Sequence, residues 1–230
     1  MTMRNLLLAI PILASLLTAC KKEEAEPVDL GYDYFPQNLG HWIEYQVDSM
    51  RVRLVQNTLD TTLYSYPLRE VVVENFTDDE GRACQRIVRY LRDINNTWLP
   101  KDVWWQTRDN VRAERSEENL RRVKLIFPPR DGTEWDTNAP NTDDVFGLAY
   151  EDIDQPLSVN GLSFDKTVSV VSTFEDNIIN RRAYLERYAK GVGMIVHVMD
   201  SINSQPPDTN GNYPAYDRWY VKYTVTGYGN

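Results

Sequence analysis

The chain has 230 residues, with 34 Asp and Glu against 25 Lys and Arg, for a net charge of −9. That length holds one large β domain or two small ones, and the acid excess argues against a grip on phosphate backbones, so no nucleic-acid partner is expected. Cys20 and Cys84 are too few for a zinc cluster or a disulfide framework, and the chain holds no HExxH zinc helix, phosphate-cradling P-loop or Gly-x-Ser-x-Gly elbow.

Arg4 precedes an apolar run from Leu6 to Leu17, interrupted only by Pro11 and Ser15. The run is shorter than the ~20 apolar residues of a spanning helix and reads as a secretory signal. It ends in Leu17-Thr18-Ala19-Cys20, which resembles the lipobox of bacterial lipoprotein precursors. The resemblance implies a signal peptide over 1–19, cleavage before Cys20, and acyl chains such as palmitate on Cys20. Two or more such chains anchor a protein firmly. Cleavage removes one Arg and no acid, so the net charge moves from −9 to −10.

The next residues, Lys21-Lys22-Glu23-Glu24, resemble the Lys-acid-acid signal that routes some Gram-negative lipoproteins to the outer face of the outer membrane. Lys22, Glu23 and Glu24 would carry that export signal. The implied location is the outer membrane, lipid-anchored, with the cell surface favoured over the periplasmic face. Residues 20–33 are polar and apolar-poor, so the lipidated Cys and a charged tether are expected there.

From 34 to 230 a single antiparallel β domain is expected. Short segments rich in Val, Ile, Thr, Tyr and Trp alternate with Gly, Pro, Asn and Asp. Ile43, Tyr45 and Val47 face one way, and Glu44, Gln46 and Asp48 the other, with Trp42 on the polar side. Further strands are predicted over 62–66, 69–76, 83–92, 102–107, 110–115, 121–127, 167–174 and 194–200. The clearest is 219–226, where Trp219, Val221, Tyr223 and Val225 share a buried face. The segment 178–190 has helical competitors but is read as a strand, followed by a tight turn at Gly191-Val192-Gly193. Asp78–Gly81 and Glu175–Asn177 are hairpin turns. The fold class is therefore all-β with minor α, an antiparallel sheet curled into an open or half barrel.

Phe35-Pro36, Gly40 and Trp42 return as Phe127-Pro128, Gly132 and Trp135. Pro stops a ladder and Gly opens backbone angles closed to other residues. Each copy reads as a joint that ends one segment and launches a strand from a Trp able to plug a barrel corner. Together with Tyr34, Tyr45 and the run Glu186-Arg187-Tyr188-Ala189-Lys190-Gly191-Val192-Gly193, these residues resemble a family of uncharacterised lipoproteins from Bacteroidetes-type bacteria. The resemblance covers most of 34–230. It implies an antiparallel β domain, an open or half barrel like lipoprotein carriers, and no catalytic residues. Asp48-Ser49-Met50, Asp60-Thr61-Thr62 and Asp200-Ser201-Ile202 also resemble the acidic O-glycosylation sequon of such bacteria.

Candidate chemistry is sparse. His41 and His197 read as satisfied core or rim histidines. Residues 131–165 hold nine acids and no Lys or Arg, whereas 101–130 hold eight bases and five acids. Within the acidic stretch Asp136, Asn138, Asn141, Asp143 and Asp144 form a weak calcium candidate, without EF-hand spacing. The alternative is a solvated loop facing the basic hairpin. No other cofactor is expected.

Trp104 and Trp105 are adjacent, so in a strand they point to opposite faces. With Trp42 they are the candidate ligand-binding aromatics, able to stack on a sugar or anchor a partner. Three functions remain open. The first is a non-enzymatic surface binding protein for glycan or protein ligands, marked by an exposed aromatic platform. The second is a carrier of a lipid or other apolar ligand, marked by a cavity of about 300 Å³ or more. The third is a hydrolase using acidic residues, marked by paired inward carboxylates of raised pKa.

Overall fold

The computed structural model describes residues 28–56, 58–173, 180–204, 209–210 and 215–230. Cys20, Lys22, Glu23, Glu24 and the turn at Glu175–Asn177 lie outside the described residues.

Among the described residues a 3-10 turn at Tyr32–Tyr34 precedes twelve strands: β1 Trp42–Val55, β2 Thr58–Thr77, β3 Ala83–Arg92, β4 Trp98–Arg108, β5 Arg112–Glu117, β6 Leu120–Ile126, β7 Glu134–Asp136, β8 Gly147–Val159, β9 Leu162–Ser172, β10 Asn180–Ala189, β11 Gly193–Ser204 and β12 Ala215–Gly229. All pairings are antiparallel, in one sheet of order β6-β5-β4-β3-β2-β1-β12-β11-β10-β9-β8-β7. The sheet curls until its end strands, β6 and β7, face each other. The described residues contain no α-helix, so the minor α content expected from sequence is not found.

Period-two burial places the core as anticipated: Ile43, Tyr45 and Val47 on β1 and Val225 on β12 point inward with Leu68, Val170 and Ile195. Other expectations shift. The segments 62–66 and 69–76 are one strand, β2, which runs through Pro67. Pro67 is tolerated because the β3 ladder stops at Leu68↔Leu91, so no partner waits on that side for the missing N–H. The strand expected at 110–115 lies at β5, two residues later. β8 was not anticipated. Its Asp152 and Asp154 have positive φ (51° and 56°), and the β9 register slips from Glu151 to Leu157, around Pro156. Segment 180–189 is extended, as read from sequence.

Both Phe-Pro copies are joints. Phe35 and Phe127 are buried. Gly40 and Gly132 turn the chain at φ 82° and 72°, conformations that side chains disfavour. β1 then starts at Trp42 and β7 at Glu134. The last residues of the expected tether are docked. Asp29 reaches Lys190 at 2.5 Å. Tyr34 is buried, donating to Asp154 (2.6 Å) and to the Thr167 carbonyl (3.2 Å). Arg108 donates to the carbonyls of Tyr32 and Phe35. Residues 29–37 thus plug one mouth of the barrel.

The seam between β6 and β7 has no strand ladder and is closed largely by side chains. Val123 N–H donates to the Thr137 carbonyl at 2.9 Å, and the Val123 carbonyl accepts from Thr137 Oγ1 and Trp135 Nε1. Farther along, the Tyr150 hydroxyl accepts from Ile126 N–H (2.8 Å) and donates to its carbonyl (2.7 Å). A phenol here substitutes for an opposing strand. Tyr150→Phe should therefore cost about 1–3 kcal/mol by leaving backbone groups unmet, measured by urea denaturation; an unchanged midpoint would mean the seam does not depend on it.

At the end away from the plug, β1, β2, β10, β11 and β12 outrun the barrel. β2 continues ten residues past its last β3 partner, from Pro67 to Thr58, or about 30 Å at ~3.3 Å per residue. The overhang is a curved sheet of these five strands.

Candidate functional site

The barrel interior is charged. Glu186 on β10 lies between Tyr184 and Tyr188 on the inward face. Its Oε1 meets Lys124 Nζ on β6 at 2.5 Å and His197 Nδ1 on β11 at 3.3 Å, and its Oε2 accepts from Tyr188 at 2.6 Å. Lys124 also contacts Glu117 at 3.2 Å and donates to Tyr184 at 3.1 Å. A second knot centres on Glu70, held by Arg115 (3.0 Å) and Arg89 (3.4 Å). Arg89 continues to Asp102 and Tyr223, and Arg115 to Gln106. Glu70, Arg89, Lys124 and Glu186 are each at most 5% exposed.

Burial pushes the Glu186 carboxyl up, but Lys124 and His197 outweigh it and hold it well below the usual carboxylate range. Burial likewise pushes the Lys124 amine down, and Glu117 with Glu186 hold it well above its ordinary value. Glu117 is also held low, because Lys124 outweighs its burial. The hydroxyls of Tyr45, Tyr184 and Tyr188 are raised, chiefly by burial. Between Phe35, Ile43, Glu70, Arg115 and Tyr188 a space of about 20 Å³ remains, room for one water.

The structure distributes the candidate tryptophans. Trp104 points inward, under the Arg89 guanidinium at 3.6 Å. Trp105 points outward, 5.8 Å from Arg82. Trp42 is on the outer wall, where Arg69, paired with Glu44, lies over it at 5.0 Å and over Trp98 at 4.6 Å. All three are half-buried. The more open aromatics are Tyr64 (58% exposed) and Trp219 (42%) on the overhang and Tyr228 (40%) near the plugged end. Sequence reasoning put Trp219 on the buried face. It does share a face with Val221 and Tyr223, but it lies beyond the barrel rim, a limit that periodicity along one strand does not carry.

Register places Trp219 opposite Arg51, which is opposite Thr62, while Tyr64 is opposite Ser49, which is opposite Val221. Trp219 and Tyr64 thus flank β1 on the inner face of the overhang. Arg51 sits between them, bound to Asp217 at 2.7 Å. An open groove of about 440 Å³ is lined by the outer-face residues Asp48, Met50, Leu63, Ser65, Arg218 and Tyr220, with Ser49 and Tyr64 of the same strands at its floor. Ser49, Thr61 and Ser201, the hydroxyls of the three sequon-like tripeptides, all fall on overhanging strands.

The calcium candidates have other partners. Asp136 accepts from the N–H groups of Asn138 and Phe146, both at 2.9 Å. Asn138 accepts from Arg122 and donates to the Asp144 carbonyl, and Asn141 donates to the Arg121 carbonyl. Asp143 and Asp144 are exposed. Among the described residues no three His, Cys, Asp or Glu side chains converge as a metal site. Through Asn138 and Asn141 this loop packs against Arg122 and Arg121 of β6. His41 is buried, bound to Asn230 and to the Val192 carbonyl at 2.8 Å each, and His197 packs between Tyr184 and Tyr223.

No family model and no curated protein matches this chain. Among solved structures, a chain described as a "putative lipoprotein" from Parabacteroides distasonis is similar over 85% of this chain and 98% of its own, at 11% identity and a TM-score of 0.37.

Glu186→Gln should leave Lys124 paired with Glu117 alone and cost about 1.5–3 kcal/mol. Because Glu186 titrates lower folded than unfolded, its contribution is complete above the unfolded value of ~4.3 and fades as pH falls below it. A melting series from neutral to acid pH should therefore show a shallower acid limb in E186Q than in the parent; parallel limbs would contradict the assignment.

Proposed function

We propose that this is a lipid-anchored, non-enzymatic protein of the outer membrane that binds carbohydrate at the cell surface through Tyr64 and Trp219. One observation carries the reading: two open aromatic rings flank the Arg51–Asp217 pair on the inner face of a projecting sheet. Ring faces stack against the C–H face of a sugar, and a guanidinium beside a carboxylate offers both donors and acceptors to its hydroxyls. The geometry of attachment supports it. Asp29 is fixed at the plugged mouth, so a chain tethered through Cys20 holds the plug toward the membrane and the overhang away from it.

The other readings find less support. A carrier needs an enclosing cavity of about 300 Å³ or more, whereas the space inside the barrel beside Glu70 and Arg115 is about 20 Å³ and the 440 Å³ groove on the overhang is open to solvent. A carboxylate hydrolase needs a raised acid, whereas Glu186 and Glu117 are held low.

Lipid-free chain applied to a panel of immobilised polysaccharides should retain at least one of them, with Tyr64→Ala and Trp219→Ala each weakening retention about tenfold at unchanged melting temperature. Retention indifferent to both substitutions would contradict the platform. Separately, Cys20→Ala should move the protein from the membrane to the soluble fraction, and protease added to intact cells should remove the domain; resistance until the outer membrane is opened would place it on the periplasmic face.

A further inference from the structure

The longest unpaired backbone in the described residues is the outer edge of β2. On the barrel side its Val72 N–H donates to the His41 carbonyl, and its Val72 carbonyl accepts from Gly40 N–H. Even-numbered residues of β2 therefore turn their backbone groups toward β1, and the β1 register holds without a slip down to Thr58. Odd-numbered residues turn theirs the other way. Pro67 fits this assignment, since its nitrogen needs no acceptor there. Beyond it Ser65, Leu63, Thr61 and Leu59 present four N–H and four C=O groups to a side on which β2 has no described strand partner.

Proteins usually blunt such edges with Lys, inward charge, bulges or a covering segment. This edge, Thr58-Leu59-Asp60-Thr61-Thr62-Leu63-Tyr64-Ser65-Tyr66, has one charge, no Lys and no bulge. Leu59 and Leu63 on its outer face are 52% and 71% exposed, and Leu63 forms a wall of the 440 Å³ groove. The segment has the form of a pairing surface.

We infer that this edge pairs with the same edge of a second copy of the chain, antiparallel about a twofold axis at Thr61. The pairing is self-complementary in three respects. Odd residues meet odd residues, so Thr61 exchanges both backbone bonds with the partner's Thr61, and Leu59 exchanges both with the partner's Leu63, and the reverse. The leucines, exposed in a single copy, then lie directly opposite one another, the arrangement in which cross-strand apolar pairs stabilise a sheet. The lone charge, Asp60, falls opposite the partner's Thr62, a hydroxyl, and never opposite a second Asp60. A closed isologous pair uses up the edge and does not propagate into a filament. It also joins two overhangs into one continuous sheet carrying two Tyr64–Trp219 platforms, which would raise avidity for a repeating ligand. The pairing stands on the backbone alone and does not depend on the carbohydrate reading.

Sedimentation velocity of the lipid-free chain 21–230 tests it. The expected result is a reversible dimer at tens of micromolar protein. Thr61→Pro removes an outward N–H in the way Pro67 already does, and Leu63→Lys places a charge opposite the partner's Leu59. Each should weaken dimerisation at least tenfold while leaving melting temperature unchanged, and Leu63→Lys guards against a misfolded proline variant because the site is open. Thr61→Cys should cross-link to a covalent dimer under mild oxidation, since paired strands set Cα atoms ~5.5 Å apart, with Cys84 buried and inert. A monomer at every concentration would overturn the inference. So would a dimer that survives both edge substitutions, or one captured instead by an added extended peptide with no self-association.

Discussion

A carboxylate and an amine removed from water must neutralise each other, and the Lys124–Glu186 pair does so in the middle of this barrel. Lys124 stands on β6, the strand at one side of the unladdered seam, and Glu186 on β10. The pair therefore spans the interior where the backbone provides no continuous ladder. Leaving either charge alone would be costly, so the two strands are held at a fixed separation. The Glu70–Arg89–Arg115 knot does the same for β2, β3 and β5. An interior organised around paired charges is filled by the side chains that pair them, which leaves only about 20 Å³ beside Glu70 and Arg115.

The two ends of the barrel consequently differ in kind. The plugged end is covered by Tyr34 and Phe35 and tied down by Arg108, Lys190 and His41. The opposite end carries strands that keep their ladders but lose their core. Five strands of a curved sheet can stand free because β1, β11 and β12 are hydrogen-bonded on both sides there. Their exposed leucines and aromatics cost solubility, a cost compatible with a surface that meets a ligand or another chain.

Alternation along each strand was legible because it reports a local property, which face a side chain takes. The joints at Phe35–Trp42 and Phe127–Trp135 were legible because Pro and Gly constrain the backbone wherever they occur. The overhang was hidden, since Trp219 and Val221 look alike to a two-residue period and only the length of neighbouring strands separates them. β8 was hidden by Asp152, Asp154 and Pro156, residues poor in strand propensity that the structure absorbs in irregular pairing. The buried charges leave a signal in the sequence: Glu186 between Tyr184 and Tyr188, and Arg89 between Ile87 and Leu91, occupy inward positions by parity. A charge at an apolar phase of a strand marks a partner across the core, although sequence alone does not name it. The candidate Trp104 and Trp105 were correctly set on opposite faces, yet Arg89 and Arg82 cover them.

The central claim is that rigidity resides in the charge-braced barrel and that the overhang extends from it as an open sheet. Native-state hydrogen exchange along β2, in dilute lipid-free protein, tests this within one strand. The account predicts that Leu68, Glu70 and Val72 exchange only through global unfolding, while Leu59, Thr61, Leu63 and Ser65 exchange at nearly unprotected rates. Equal, slow exchange of all seven amides at dilution would contradict it.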